Sequence, residues 1–148
     1  MVVKGIFSDN APKAIGPYSH AVQVGDFVYM SGQLPVDSVT EQIVSNDIKE
    51  QTQQVINNMM SVLAEMNLDL GDVVKTTVFM SDLSLFSQMN EVYGMFFAEP
   101  YPARSCVEVA ALPKGALVEI EALALDARKY ENMTPKDCGS CCAKKNEE

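Results

Sequence analysis

The sequence predicts an α+β fold in which two helices cover one face of a mixed sheet. Short stretches of alternating apolar and polar residues mark the strands, because a period of two sends successive side chains to opposite faces. Two longer stretches carry apolar residues at three- and four-residue steps, which gives a helix one buried stripe. Their order is three strands, a helix, a strand, a helix and two strands. That order suits a two-layer sandwich and leaves the second face of the sheet in need of cover. At 148 residues the chain is long enough for one domain with a real core.

Met1–Phe7 is strand-like, with no signal-peptide apolar region. Asn10–Ser19 is a loop broken by Pro12, Gly16 and Pro17. Ala21–Val24 and Phe27–Met30 read as a hairpin around Gly25-Asp26. Ser31-Gly32-Gln33 ends the second of these strands, and the glycine lets a backbone N–H approach something small. Leu34–Gln42 is loop. Ser45, Asn46 and Asp47 all suit a helix N-cap, and Asp47 opens a helix with Ile48, Thr52, Val55, Ile56, Met59, Leu63 and Met66 on its apolar stripe. Leu68–Gly71 stops it. Val73–Met80 is mostly apolar and β-branched, which suits a strand inside a sheet. Ser81-Asp82 caps a second helix burying Leu85, Phe86, Met89, Tyr93 and Phe96, and Pro100 and Pro102 end it.

The stretch from Pro102 to Leu125 carries the most information. Ser105–Val109 and Leu117–Leu125 alternate as strands, joined by the turn residues Leu112-Pro-Lys-Gly115. Arg104, Cys106 and Glu108 share one face of the first strand. In the second, Val118, Ile120, Ala122 and Ala124 form a small apolar face suited to packing under helices, and Leu117, Glu119, Glu121, Leu123 and Leu125 take the other. An outer face bearing leucines is costly to leave in water, so another subunit is expected to cover it. A carboxylate drawn into that region, Glu121, facing Arg104 from a strand nearby in sequence is the candidate site. A salt bridge on a sheet face would account for the same residues.

Composition narrows the function. The net charge of −9, without a basic run in the first 130 residues, argues against binding phosphate backbones, whose affinity comes largely from Lys and Arg. No apolar run approaches the roughly 20 residues of a membrane span. Three of the 4 cysteines, Cys138, Cys141 and Cys142, crowd into the end of the chain, which reads as a reducing, cytoplasmic setting rather than a disulfide framework. The pattern fails after Lys129, so a domain over 1–129 and an appended cysteine-bearing tail over 130–148 are expected. One CxxC does not complete a four-ligand zinc site, and the lone His20 has no ligand partner, so no metal is expected. No phosphate-binding loop or dinucleotide fingerprint appears, and no cofactor is expected. Cys106 has no histidine beside it to activate a nucleophile and reads as a structural or pocket-lining residue.

Several stretches together resemble the RidA family, also called YjgF: Ala14-Ile-Gly-Pro-Tyr-Ser-His-Ala21, Tyr29-Met-Ser-Gly-Gln-Leu-Pro35, Asn90-Glu-Val-Tyr93 with Phe96-Phe97, Pro102-Ala-Arg-Ser-Cys-Val-Glu-Val109 and Pro113-Lys-Gly-Ala-Leu-Val-Glu-Ile-Glu-Ala122. The resemblance implies a chorismate-mutase-like fold and a homotrimer whose sheets form an inner barrel with sites at the subunit clefts. It also implies hydrolysis of 2-imino or enamine acids, such as 2-iminobutanoate and 2-iminopropanoate, to 2-keto acids and ammonia. Such an activity would serve beside pyridoxal-phosphate-dependent dehydratases, which release these products. By the same resemblance Arg104 binds the substrate carboxylate, Glu121 holds and activates water, and Tyr18, Ser31, Gly32, Asn90 and Cys106 line the pocket. The chain departs from the pattern at His20, where glutamine is usual, and in the Asp37–Gln42 loop, which lacks a common glycine. A trimeric binding or chaperone-like module would use the same Arg104 pocket without turnover. A ribonuclease or translation inhibitor, also credited to the family, fits the acidic charge less well.

Overall fold

The elements follow in chain order as β1 (Val3–Ile6), β2 (Ala21–Val24), β3 (Phe27–Gln33), α1 (Ile48–Ala64), β4 (Val73–Met80), α2 (Phe86–Phe96), β5 (Ala103–Glu108) and β6 (Val118–Leu125). This computed structural model describes residues 3–128 and 130. The cysteine-bearing tail, Tyr130 apart, lies outside the described residues. The six strands form one mixed sheet in the order β1-β2-β3-β6-β4-β5. All neighbours are antiparallel except β4 and β5, which run parallel. The order of elements agrees with the sequence expectation, and so does the α+β class.

Period two sets the two faces. Val28 and Met30 on β3, Val118, Ile120, Ala122 and Ala124 on β6, and Thr76, Val78 and Met80 on β4 are buried. Above them lie Val55, Ile56, Met59, Val62 and Leu63 of α1 and Met89, Val92 and Tyr93 of α2. Each fully buried aliphatic side chain contributes about 1.5–3 kcal/mol through the area it removes from water. Among the described residues, no helix covers the opposite face. It presents Phe27 and Tyr29, 47% and 55% exposed, beside half-buried Leu123 and Leu125, with which they pair.

A capping residue starts the first helix where expected. Asp47 accepts the backbone N–H groups of Lys49 and Glu50 at 2.9 and 3.0 Å, satisfying donors that α1 leaves free at its first turn. Asp82 accepts the N–H of Ser84, but the cap serves a short 3₁₀ turn over Leu83–Leu85, and α2 begins only at Phe86. Polar side chains of α1 tie loops to the sandwich. The Asn58 amide donates to the Leu34 and Val36 carbonyls, and Gln51 accepts the N–H of Leu117.

Several element ends differ from the sequence reading, among them the start of β5 at Ala103 where Ser105 was expected. α1 ends at Ala64, short of Met66. β3 runs on to Gln33, through an irregularity in its pairing with β6 described below. The last two strands, consecutive in sequence, are not neighbours, because β4 lies between them. The departure in the Asp37–Gln42 loop also has a backbone consequence. Glu41 sits at φ 58°, a left-handed conformation that glycine adopts freely and other residues do not. No helix among the described residues is long and apolar enough to cross a membrane.

Candidate functional site

The chemistry-bearing residues fall into two groups in one chain. The first lies at the sheet edge, where β5 is the last strand. Arg104 stands opposite Thr76 of β4 in the parallel register, on the helix-covered face. An edge position lets its guanidinium reach out past the sheet. It lies 4.6 Å from the ring centre of Tyr93 and 5.6 Å from that of Phe86, both on α2. It makes no ion pair among the described residues, so its fork of donors is open. Asn90, Tyr93, Gly94, Tyr101, Pro102 and Arg104 line a cleft of about 470 Å³. Cys106 follows on the same face of β5. Burial pushes its thiol up, against the opposing pull of the Arg104 charge, which keeps it protonated and unsuited to nucleophilic attack.

The second group gathers around a bulge in β3. Met30 pairs with Ala122 and Gln33 with Ile120, so Ser31 and Gly32 together oppose the single residue Glu121. Such an insertion bends the strand and re-aims its side chains. Ser31 Oγ donates to the Ser19 carbonyl at 2.8 Å, and the Ser31 N–H donates to the His20 carbonyl at 3.0 Å. These bonds hold the loop carrying Tyr18 against the bulge. Tyr18 and Gly32 share a groove with Lys13, His20, Glu41 and Lys114. His20 is buried, its Nδ1 accepting the Ser8 N–H at 3.0 Å.

A carboxylate does lie over the bulge, and it belongs to Glu119. A Cβ built at Gly32 would run into the Glu119 carboxyl group, so glycine is what lets the acid lie against the β3 backbone. Burial raises the pKa of Glu119, and the nearby charge of Glu121 raises it further. Glu121 is exposed, in the middle of the bare face, near Tyr29, Lys75 and Thr77. Alternation put both acids on one face, and the sequence reading took Glu121 as the acid that holds water; the acid that lies against Gly32 in the structure is Glu119. The ranking comes from the bulge, whose sequence trace is Ser31-Gly32.

The two groups do not meet within one chain. Glu119 and Glu121 are on the bare face of β6, while Arg104 is on the covered face of β5, two strands away. At the usual strand spacing that is roughly 10 Å across the sheet, with the sheet itself between them. The expected facing pair of Arg104 and Glu121 is therefore absent from the single chain. The reason is that β4 inserts between the two strands and their side chains alternate out of phase. Tyr18, Ser31 and Gly32 come together, as do Asn90, Arg104 and Cys106.

Gly32→Ala tests the close approach. The colliding atoms are the mobile end of the Glu119 side chain, so the protein is expected to fold with its melting temperature within a few degrees of wild type. Melting curves of wild type and Gly32→Ala check this expectation.

A six-stranded mixed sheet under two helices, bare on its other face and with an arginine cleft at its edge, defines a two-layer α+β domain. The chain belongs to the endoribonuclease L-PSP family, that of the RutC and RidA proteins, whose model matches residues 8–126. It is 52% identical over 124 residues to a RutC family protein of Pyrococcus abyssi, covering 84% of this chain and 98% of that one. It is 47% identical over 125 residues to the 2-iminobutanoate/2-iminopropanoate deaminase of Salmonella typhimurium, covering 82% and 97%. Among solved structures, TdcF of E. coli with bound serine superposes with a TM-score of 0.78 at 44% identity, covering 82% and 98%.

Proposed function

We propose that the protein is a hydrolytic deaminase of small 2-imino and enamine acids, working as a trimer that joins the two half-sites of neighbouring copies. The observation that carries this reading is the open guanidinium of Arg104 at the edge cleft, set apart from the half-buried Glu119 over the β3 bulge. A planar guanidinium matches a carboxylate bidentately and so fixes which end of a small substrate enters first. The deaminase name of one relative and the serine bound to another support a ligand with a nitrogen on the carbon next to its carboxylate. The bare apolar face supports association, and three copies closing those faces into a barrel would bring one copy's Arg104 to the next copy's Glu119.

The chemistry needs little more than orientation and a base. With the carboxylate on Arg104, C2 of the iminium is presented to a water held by Glu119 and the bulge. The water oxygen bonds to C2 as its proton passes to the Glu119 carboxylate. Glu119 then protonates the amine of the resulting carbinolamine, the C–N bond breaks, and the hydroxyl proton departs with ammonia as ammonium, leaving the 2-keto acid. Glu119 has the features of a base for this step, since burial makes it more basic than a carboxylate in water. Glu121, two residues along the same face, supplies the charge that helps to keep it so. Asn90, Cys106, Tyr18 and Ser31 serve as walls and hydrogen-bond partners around the substrate.

An imine generated in situ by a pyridoxal-phosphate-dependent threonine dehydratase tests the activity. Adding the protein should accelerate formation of 2-ketobutyrate well beyond the dehydratase alone, and its solution mass should be three times the 16.2 kDa chain. A monomer would defeat the shared site. No acceleration by an intact trimer would leave a binding module in its place. The ribonuclease activity in the family's name meets a net charge of −9, which opposes an RNA backbone.

A further inference from the structure

We infer that Tyr93 is the positioning residue for Arg104, and that Thr76 sets the orientation of Tyr93 by holding its hydroxyl. This rests on the reading of Arg104 as the carboxylate binder and adds what gives that arginine a defined aim. Thr76 and Tyr93 are both buried, 0% and 4% exposed, and their hydroxyl oxygens lie 2.8 Å apart. Thr76 is also the residue that pairs with Arg104 across β4 and β5. Strand pairing, hydroxyl contact and ring contact thus close a triangle of Thr76, Tyr93 and Arg104, with the guanidinium carbon 4.6 Å from the ring centre. Phe97 stacks on Tyr93 at 4.3 Å with an angle of 22°, which limits tilting of the ring.

An exposed arginine on an edge strand ordinarily samples many rotamers, and ordering it on each binding event costs free energy. No carboxylate among the described residues pins this one. A cation over an aromatic face is held by the ring's quadrupole without using up its N–H donors. That distinguishes the arrangement from an ion pair, in which a carboxylate would occupy the same fork that the substrate needs. Burial raises the pKa of Tyr93, so its ring stays neutral and its hydroxyl remains available to Thr76. The two hydroxyls are buried and meet each other. The pair is explained by aiming the ring.

The test uses the full chain and 2-ketobutyrate as probe, with affinity read by calorimetry and KM and kcat by the coupled deaminase assay. Tyr93→Leu removes the platform and is expected to weaken 2-ketobutyrate binding and raise KM about tenfold, with kcat within twofold of wild type, in line with the usual strength of such contacts. Tyr93→Phe restores the ring without its tether and should recover most of that loss, leaving a two- to threefold deficit. Thr76→Val should reproduce the same small deficit, and the double variant Thr76→Val with Tyr93→Phe should be no worse than either, because both remove one contact. The Arg104 Nε–H resonance should lie upfield through the ring current in wild type and move downfield in Tyr93→Leu. A folded Tyr93→Leu protein with unchanged affinity overturns the inference, as does a loss confined to kcat. Should the leucine variant fail to fold, unchanged affinity in Thr76→Val overturns it instead. A wild-type protein that binds no keto acid fails the reading of Arg104 itself, and the inference with it.

Discussion

Arg104→Ala is expected to lower kcat/KM for imine hydrolysis by about two to four orders of magnitude, and to abolish measurable 2-ketobutyrate binding, while the protein stays folded and assembled. The size follows from what the substrate loses. Truncating one partner of a hydrogen-bonded charge pair costs about 2–5 kcal/mol, and every 1.4 kcal/mol is tenfold in affinity. Beyond affinity, a small acid without its anchor no longer presents C2 to the water, so part of the orientation contribution is lost as well. The fold has little stake in the side chain. Arg104 is exposed on the last strand of the sheet and pairs with no acid among the described residues, and its contacts with Tyr93 and Phe86 contribute about 0.5–2 kcal/mol. Arg104→Lys separates charge from shape. An ammonium keeps the charge but not the planar fork, so it should recover only part of the loss. Steady-state kinetics beside calorimetry and a solution mass decide the matter, and turnover like that of wild type in Arg104→Ala would remove the residue from the mechanism.

Local order accounts for what could be read in the sequence. Val73–Met80 came out with its observed ends because it is mostly apolar and β-branched, which suits a strand inside a sheet. Asp47 announced the start of α1 because a side-chain cap is settled by neighbours two and three residues away. The faces of β5 and β6 followed from alternation, including the placing of Arg104 with Cys106 and of Glu119 with Glu121. The order of strands was another matter. That β4 inserts between β5 and β6 is a matter of long-range pairing, and no window of sequence contains that information. The same holds for Tyr93, which the helical stripe identified as a core residue. Its second role depends on Arg104, eleven positions later, coming to rest over its ring. The bulge is the clearest case. Ser31-Gly32 hinted at a close backbone approach, but only the pairing of Met30 with Ala122 and Gln33 with Ile120 shows two residues facing one, and with it which acid lies over the glycine.

That choice between acids leads to the sharpest contrast among variants. Glu119→Gln is expected to slow turnover by about 10²–10⁴-fold, the usual contribution of a general base, with 2-ketobutyrate affinity near wild type because Arg104 is untouched. Glu121→Gln should reduce it far less. The two also differ in how they respond to pH. Burial, and then the charge of Glu121, raise the pKa of Glu119, and the reaction needs the carboxylate form. Activity should therefore fall on the acid side at a higher pH than an unperturbed glutamate would give. Removing the like charge in Glu121→Gln should move that acid limb to lower pH while leaving the plateau rate close to wild type. Stability runs the other way. The folded pKa of Glu119 lies above its unfolded value, so its contribution to stability is present at low pH and is lost as pH rises through the folded value. At neutral pH the ionised side chain is a net cost, and Glu119→Gln should melt at a higher temperature than wild type, an advantage that fades as the pH is lowered. A base held half-buried against a glycine bulge is thus expected to trade stability for reactivity. Rate profiles and melting curves over the same pH range test both parts: full turnover in Glu119→Gln would remove Glu119 as the base, and an acid limb unmoved by Glu121→Gln would remove the coupling between the two acids.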